Sequence, residues 1–241
     1  MKRLRQCLGI VGLLVACMNG AQAIPLSTLL DGASITAGDK LFSGWSFTYA
    51  SSEANRVFNP GNIEVTALND GADNPGPGLQ FDILNGELTV TGDGIFAYVD
   101  LMLGFHVDVL DPARRIKDNS LQLIAGSVTT TRDADNGSYI QEFVGTTPGG
   151  TDLVNFKDVE LSWNGSNLIN KPIDTAAFAP QDEVWVTKNI LVWATGVEET
   201  AALGSFNQRF SQQVPEPGTL ALVAIAGLAA LVIRPRISRR V

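Results

Sequence analysis

His106 is the only histidine in this chain of 241 residues, so a serine hydrolase or a zinc enzyme would have to be built around it. A Ser-His-Asp triad also needs a presented serine, and the sequence has no G-x-S-x-G motif. A zinc site normally draws on several histidine or cysteine ligands, which a single histidine cannot supply. We therefore predict that His106 is a surface residue of a strand, that the chain has no catalytic residue, and that it is not an enzyme.

Paired carboxylates are another route to catalysis, because a glycosidase needs only two of them, about 5–10 Å apart. Asp100 and Asp108 fall on one face of a predicted strand, but about 26 Å of extended chain separates them. A carbohydrate-active enzyme is therefore our third hypothesis, and it requires a cleft that buries an acidic residue.

Two loops rich in Asp, Asn and Gly could hold calcium, which prefers oxygen ligands. The candidate ligands are Asp70 and Asp73 in the first loop and Asp133 and Asp135 in the second. Neither loop fits an EF-hand, since glycine arrives at the fifth position counted from Asp133 instead of the sixth. The same residue types favour tight turns, because they tolerate positive φ. We predict simple turns and no cofactor, with calcium as the alternative.

Trp185, Asn189 and Trp193 are the candidate ligand-binding residues. In an uninterrupted strand these three side chains share one face, opposite a row of apolar residues. Aromatic and polar groups on an exposed face could stack on sugar rings and hydrogen-bond their hydroxyls. Burial of the tryptophans between two sheets is the favoured alternative, because a sandwich core needs large apolar side chains.

The elements that would position these residues are strands. Apolar and polar residues alternate at 45–49, 63–67, 79–83 and 95–109, and further strand candidates follow at 121–130, 138–144, 159–163, 184–194 and 205–211. Turn signals such as Asn136-Gly137 separate them, and short helical turns are expected only at 27–30 and 174–178. The run after Ile95 is too long for one straight strand, so we expect Gly104 to mark a bulge or a bend between sheets. The pattern predicts an all-β fold, a single antiparallel β-sandwich that is jelly-roll-like.

Charge and cysteine content limit the partners of this predicted domain, residues 24–213. Its formal net charge is −14, against −8 for the whole chain, because the segments before and after it each carry +3. So acidic a surface repels nucleic acid, which we exclude as a partner. Both cysteines, Cys7 and Cys17, precede residue 24, so the domain cannot be stabilised by disulfides.

The first 23 residues have the features of a secretory signal peptide. Lys2, Arg3 and Arg5 precede a short apolar stretch, 8–18, and Ala21-Gln22-Ala23 follows it as a small-residue cleavage site for signal peptidase. The stretch before Cys17 also resembles a lipobox, in which that cysteine would become the lipidated first residue. We favour cleavage after Ala23, because a lipid would duplicate the anchor at the other end of the chain.

The last 28 residues, 214–241, contain three features in a fixed order. The first is the motif Pro215, Glu216 and Pro217. The second is an apolar segment, 219–233, that we predict to be a transmembrane sorting helix. The third is a basic cluster of Arg234, Arg236, Arg239 and Arg240. The arginines are expected to stay on the cytoplasmic side of the membrane. This tail resembles the PEP-CTERM sorting signal of Gram-negative bacteria. The resemblance implies processing by an exosortase, a membrane enzyme, and delivery through the inner membrane to the cell surface or the extracellular matrix.

We therefore predict an exported protein of the cell surface or the exopolysaccharide matrix of a biofilm, with a non-enzymatic structural or adhesive role. The second hypothesis is a lectin-like module that binds glycans, including exopolysaccharide, through Trp185, Asn189 and Trp193.

Overall fold

The computed structural model describes residues 22–130 and 134–214, which form two antiparallel β-sheets packed face to face. The strands, in chain order, are β1 Ile24–Pro25, β2 Ile35–Ala37, β3 Lys40–Ser51, β4 Ile63–Leu68, β5 Gly78–Ile83, β6 Thr89–Thr91, β7 Ala97–Val109, β8 Arg115–Val128, β9 Asp135–Gly145, β10 Val154–Asn164, β11 Leu168–Lys171, β12 Ile173–Gln181, β13 Glu183–Ala194 and β14 Thr200–Gln213. The helical elements are a short α-helix, Leu26–Leu30, and a 3₁₀ turn, Pro60–Asn62.

Each sheet has seven strands. The first sheet has the order β1-β4-β5-β14-β8-β12, with β6 paired to β14, and the second has the order β11-β10-β9-β13-β7-β3-β2. Strand β13 lies at the centre of the second sheet, where Val186 is opposite Phe105 of β7 and Val144 of β9. The predicted antiparallel β-sandwich is therefore confirmed. The predicted signal peptide lies almost wholly in 1–21, and the predicted sorting helix in 215–241, outside the described residues.

The core between the sheets is formed by alternate residues of the long strands. Phe81 and Phe206 stack in the first sheet with ring centroids 4.5 Å apart, and Phe105 of the second sheet packs against Phe81 at 6.4 Å. All three side chains are at most 1% exposed. Burial of a side chain of this size stabilises the fold by about 1.5–3 kcal/mol, so such contacts can hold together a domain without disulfides.

Three details of the sequence prediction are wrong. The bend between sheets expected at Gly104 is wrong, because β7 runs unbroken in one sheet, although a register irregularity does occur opposite Gly104, between Ser43 and Ser46 of β3. A Cβ added at Gly104 would lie 2.5 Å from Ser46 Oγ, so a larger residue there would require the Ser46 side chain to move. Residues 174–178 form part of strand β12, because pairing with β8 outweighs the helix propensity of their alanines. Asn136-Gly137 is no turn but part of β9.

Candidate functional site

The outer face of the second sheet holds the three residues that the sequence singled out for ligand binding. Inward-facing residues of β13 are buried, while Trp185, Asn189 and Trp193 are half-buried on the opposite face. At about 3.3 Å per residue, the two tryptophans are roughly 26 Å apart along the strand. The favoured alternative, tryptophans packed between the sheets, is wrong, because the interior positions of β13 are occupied by the other alternating set of side chains.

Trp193 lies over the backbone of the neighbouring strand β9. It is opposite Gly137, and a Cβ added at that glycine would come within 2.7 Å of Trp193 Cη2. The indole Nε1 donates a hydrogen bond to Asp135 Oδ1 at 3.2 Å. The tip of the indole thus reaches over Gly137, while the ring stays partly exposed on the outer face.

Trp185 lies over the opposite neighbours, β7 and β3. Its ring stacks on the imidazole of His106 with centroids 4.4 Å apart and an interplanar angle of 24°. A Cβ added at Gly44, whose φ is +61°, would lie 3.2 Å from Trp185 Cη2. The Trp193 ring therefore reaches β9, and the Trp185 ring reaches β7 and β3 on the other side of β13.

A shallow cavity of about 140 Å³ lies beside Asn189, which is midway between the two tryptophans along β13, and neither tryptophan lines it. Asn189 Nδ2 donates a hydrogen bond to Asp100 Oδ1 at 2.8 Å at its wall. Tyr49 and Met102, which are 42% and 48% exposed, also line it. The cavity thus combines polar hydrogen-bonding groups with exposed apolar surface.

His106 is surrounded by carboxylates beneath Trp185. Its Nδ1 lies 3.1 Å from Asp108 Oδ2, and its Nε2 lies 3.3 Å from Glu183 Oε2. One ligand atom from each of the three residues falls within 4.8 Å of the others, so this is a group that could hold a metal ion. The predicted surface histidine is partly covered, with 14% of its side chain exposed.

The carboxylates proposed for calcium contact other side chains. Asp70 Oδ1 accepts a hydrogen bond of 2.7 Å from Arg209, and this contact holds the pKa of the carboxyl below its usual range. Asp73 Oδ1 is 2.5 Å from Arg114 Nη1, and Asp135 accepts the hydrogen bond from Trp193. Asp133 lies outside the described residues. The arginine contacts fix Asp70 and Asp73 by ion pairs, and calcium binding stays the untested alternative.

A cleft of about 290 Å³ opens at the edge of the sandwich, and Asp39 and Gln212 are among its lining residues. Lys40 is fully buried beside it and donates hydrogen bonds to Asp39, at 2.7 Å, and to Gln212. Burial lowers the pKa of the Lys40 ammonium, although Asp39 acts in the opposite direction.

The interior contains a group of ionisable residues that the sequence analysis missed. Glu142 of β9 lies between Lys157 of β10 and Lys188 of β13, and all three side chains are at most 2% exposed. The first sheet adds Asn119 and Gln208, both 0% exposed, which hydrogen-bond to this group across the core. We call these five residues the interior polar cluster.

Two opposing effects set the charges in the interior polar cluster. Burial raises the pKa of the Glu142 carboxyl, but the ammonium groups of Lys157 and Lys188 outweigh burial and hold that pKa below its usual value. Burial lowers the pKa of Lys188 to about 8 and also lowers the pKa of Lys157, although Glu142 acts in the opposite direction on both. One carboxylate thus faces two amines that both lose protons more readily than a solvated lysine.

The signal for this cluster was present in the strand alternation. Lys188 occupies the interior position between Val186 and Ile190, and Glu142 occupies the one between Ile140 and Val144. A charged residue in an otherwise apolar alternating series is a buried charge, and buried charges need partners.

The fold is an antiparallel β-sandwich. Endoglucanase 3 of Trichoderma harzianum, from family GH12, is a solved structure similar to this chain at 10% identity, covering 70% of this chain and 98% of that chain. Its TM-score of 0.18 is too low to support any argument about function. The search of curated proteins finds no match.

The sorting signal is the specific match. Residues 213–240 match the family model of the PEP-CTERM protein-sorting motif, which confirms the recognition made from the sequence. The motif implies an exported protein that exosortase processes at the membrane. Pro215, Glu216, Pro217 and the four arginines lie outside the described residues. In the part of the chain that is described, no helix has the length and apolar character to span a membrane.

Proposed function

We propose that this exported protein is displayed on the cell surface or in the exopolysaccharide matrix, where it has a non-enzymatic, structural and adhesive role. The sorting motif at 213–240 supports export and membrane processing. The predicted leader, which carries a signal-peptidase site, is consistent with export. The β-sandwich domain that follows it is consistent with export as well. Its adhesive contact is with polysaccharide.

The adhesive role is supported above all by the side chains on the outer face of the second sheet. Trp185 and Trp193 lie at the two ends of β13, and the Asn189–Asp100 pair lies between them. Indole faces stack on sugar rings, and an amide beside a carboxylate offers both a donor and an acceptor to hydroxyl groups. Roughly 26 Å of strand separates the two residues, a span over which an extended glycan chain could contact both side chains.

The negative charge of the domain limits which polysaccharides it can bind. The predicted domain carries −14 formally, and Asp100, Asp108 and Glu183 lie on the binding face itself. A negatively charged surface repels anionic polymers at low salt. We therefore expect binding to neutral or cationic polysaccharide in preference to anionic polysaccharide.

A binding assay with the full chain tests the adhesive contact. The protein is incubated with the exopolysaccharide of the producing cells and with insoluble neutral and acidic polysaccharides, and the bound fraction is measured. We expect retention on neutral polymers that the double variant Trp185→Ala/Trp193→Ala loses. Equal retention of the wild type and the double variant would contradict the proposal. Release of soluble sugar by the wild type would favour the carbohydrate-active enzyme instead.

A second experiment tests the sorting route separately. Deletion of residues 214–241 should leave a folded protein that is absent from the cell surface, because the deletion removes the sorting motif and almost none of the sandwich. Exchange of Arg234, Arg236, Arg239 and Arg240 for lysine is the matched control. It keeps the positive charge that orients the segment and should keep surface display. Unchanged display of the deletion variant would contradict the sorting proposal.

A further inference from the structure

Lys157, Asn119 and Glu142 of the interior polar cluster contact one another in the arrangement needed for a covalent reaction. Lys157 Nζ lies 2.7 Å from Asn119 Oδ1 and 2.9 Å from Glu142 Oε1. Asn119 Nδ2 donates to the same Glu142 Oε1 at 2.6 Å. Since Cγ is one carbonyl bond of about 1.2 Å from Oδ1, it lies within roughly 4 Å of the amine. The carboxylate oxygen thus lies beside both the attacking and the leaving nitrogen.

The surroundings of these three side chains exclude water. Asn119 and Glu142 are fully buried, and Lys157 is 3% exposed. A nucleophilic amine held against an amide carbonyl in a dry site avoids the entropy cost of bringing the two together. The backbone carbonyl of Asn119 also accepts a hydrogen bond of 3.0 Å from Lys157 Nζ, which fixes the position of the amine.

The charge balance of the cluster favours the loss of one ammonium group. Two lysines contact the carboxylate of Glu142, whereas Asp118 and Asp174 act on Lys157 only as charges at longer range, so full ionisation would place two positive charges against one contacting carboxylate in the core. A buried charge without a partner is strongly unfavourable. If Lys157 became an amide, the remaining pair of Glu142 and Lys188 would be neutral overall.

We propose that Lys157 and Asn119 form an intramolecular isopeptide bond, which joins β10 of the second sheet to β8 of the first. The Glu142 carboxylate accepts a proton from the Lys157 ammonium, and the neutral Nζ attacks Asn119 Cγ. The bond between Nζ and Cγ forms, the bond between Cγ and Nδ2 breaks, and Nδ2 leaves as ammonia. The second proton lost by Nζ goes to this leaving group. Glu142 then returns its own proton, so that ammonium is released and the carboxylate is restored. No oxidant, metal or cofactor is required.

Lys188 and Gln208 form the other amine and amide pair of the cluster, and their geometry is less suited to this step. Lys188 contacts Glu142 through Oε2, whereas Gln208 Nε2 lies 3.3 Å from Oε1. For Lys157 and Asn119 a single oxygen lies next to both nitrogens, which makes a direct proton relay possible. Lys188 is then the cation that remains paired with Glu142.

The bond would give this domain a covalent cross-link, which it cannot obtain from disulfides because it contains no cysteine. It closes a segment of 38 residues between positions 119 and 157, in the same way that a disulfide restricts the unfolded chain. It also joins the two sheets directly, so they could not separate under load or in denaturant. An amide bond, unlike a disulfide, is insensitive to reduction.

Peptide mapping of the full chain tests the proposal. The protein is purified from cells, denatured, digested with trypsin and analysed by mass spectrometry. A free Lys157 permits cleavage after residue 157, and peptide 118–132 is then recovered alone. With the bond, trypsin does not cut after Lys157, and we expect peptide 118–132 attached to the peptide that begins at residue 133. The joined species should be lighter by one ammonia than its two parts.

Variants identify the groups involved. Lys157→Arg should release peptide 118–132, whereas the control Lys171→Arg, at a lysine that also contacts carboxylates, should leave it joined. Folded Glu142→Gln should yield at least tenfold less joined peptide, because the proton acceptor is absent. An unchanged yield would refute the role of Glu142. Recovery of unjoined peptides from the wild type would refute the bond even if no variant folds, and a link between Lys188 and Gln208 would refute the assignment.

Discussion

Lys188 and Asn189 are neighbours on β13, and they lie in opposite environments. Lys188 is fully buried between the sheets and contacts Glu142 and Gln208. Asn189 is on the outer face, where it donates to Asp100 beside a shallow cavity. One step along a strand therefore separates a group that holds the sandwich together from a group that is available to a ligand.

The difference shows that burial decides what a polar side chain does on this strand. An interior charge must be compensated by partners that are themselves buried, so Lys188 is coupled to residues of both sheets. An outer polar group can exchange its partner for water or for a sugar hydroxyl at little cost. Substitutions on the inner side should thus change stability, and those on the outer side should change binding.

The largest effect is expected from Glu142→Ala. Removal of this carboxylate leaves Lys157 and Lys188 without the carboxylate that both contact in the core, which should reduce the free energy of unfolding by about 3–5 kcal/mol. Glu64→Ala, on the outer side of β4, is the matched control and should change it by less than about 0.5 kcal/mol. Denaturant titration of both variants measures the difference. Equal small effects would mean that the interior polar cluster contributes nothing to stability.

The same carboxylate should make the protein sensitive to acid. The folded-state pKa of Glu142 lies below the usual value of 4.5, so its contribution is fully present above that pH and is lost as the pH falls through the lowered pKa. Denaturant midpoints measured between about pH 7 and pH 3 should fall for the wild type. The fall should be shallower for Glu142→Gln, which cannot ionise. Parallel profiles would show that surface carboxylates such as Asp70 account for the whole effect.

Trp185→Ala and Trp193→Ala should separate binding from folding. Each ring is half-buried on the outer face, so each change should cost only about 1–2 kcal/mol of stability. Each should weaken polysaccharide binding at least tenfold, which corresponds to about 1.4 kcal/mol. Isothermal titration with a soluble glycan, run beside thermal unfolding, measures both quantities. A loss of folding comparable to that of Glu142→Ala would refute the distinction between the two faces.

The smallest effect is expected from Asn189→Ala. The substitution removes the hydrogen bond to Asp100, whose side chain can then be solvated, so stability should change by no more than about 1 kcal/mol. Glycan affinity should fall severalfold. Asn170→Ala, on the exposed edge strand β11, is the control and should change neither quantity. If Asn189→Ala binds glycan as the wild type does, the cavity beside Asn189 is not part of the binding face.

Local sequence patterns predicted which residues of β13 share a face, but they did not predict the contacts of those residues with other strands. Alternation placed Trp185, Asn189 and Trp193 together, because side chains of a strand point to opposite faces with period two. It could not show that Trp193 rests on Gly137, since that glycine comes from another strand and reads locally as a turn signal. The apolar row opposite the tryptophans did mark the interior face, but the expectation that a core needs large apolar side chains favoured the wrong face for the tryptophans.

The interior polar cluster illustrates the same limit. Its five members lie on five strands, between positions 119 and 208, and the alternation marks Lys188 and Glu142 only as charges at apolar positions. Their mutual contacts depend on the order of the strands within each sheet and on how the two sheets face each other. Neither follows from any short segment.

The sequence by itself determined the sorting signal, the antiparallel β class and the alternation of each strand. A sorting motif is read as a linear segment, and the period of a strand is a property of consecutive residues. Only the tertiary structure decided that the tryptophans lie outward over a glycine and a histidine, and that Lys157, Asn119 and Glu142 meet in the core. These contacts join residues far apart in the chain, and only the pairing of strands and the packing of sheets can bring them together.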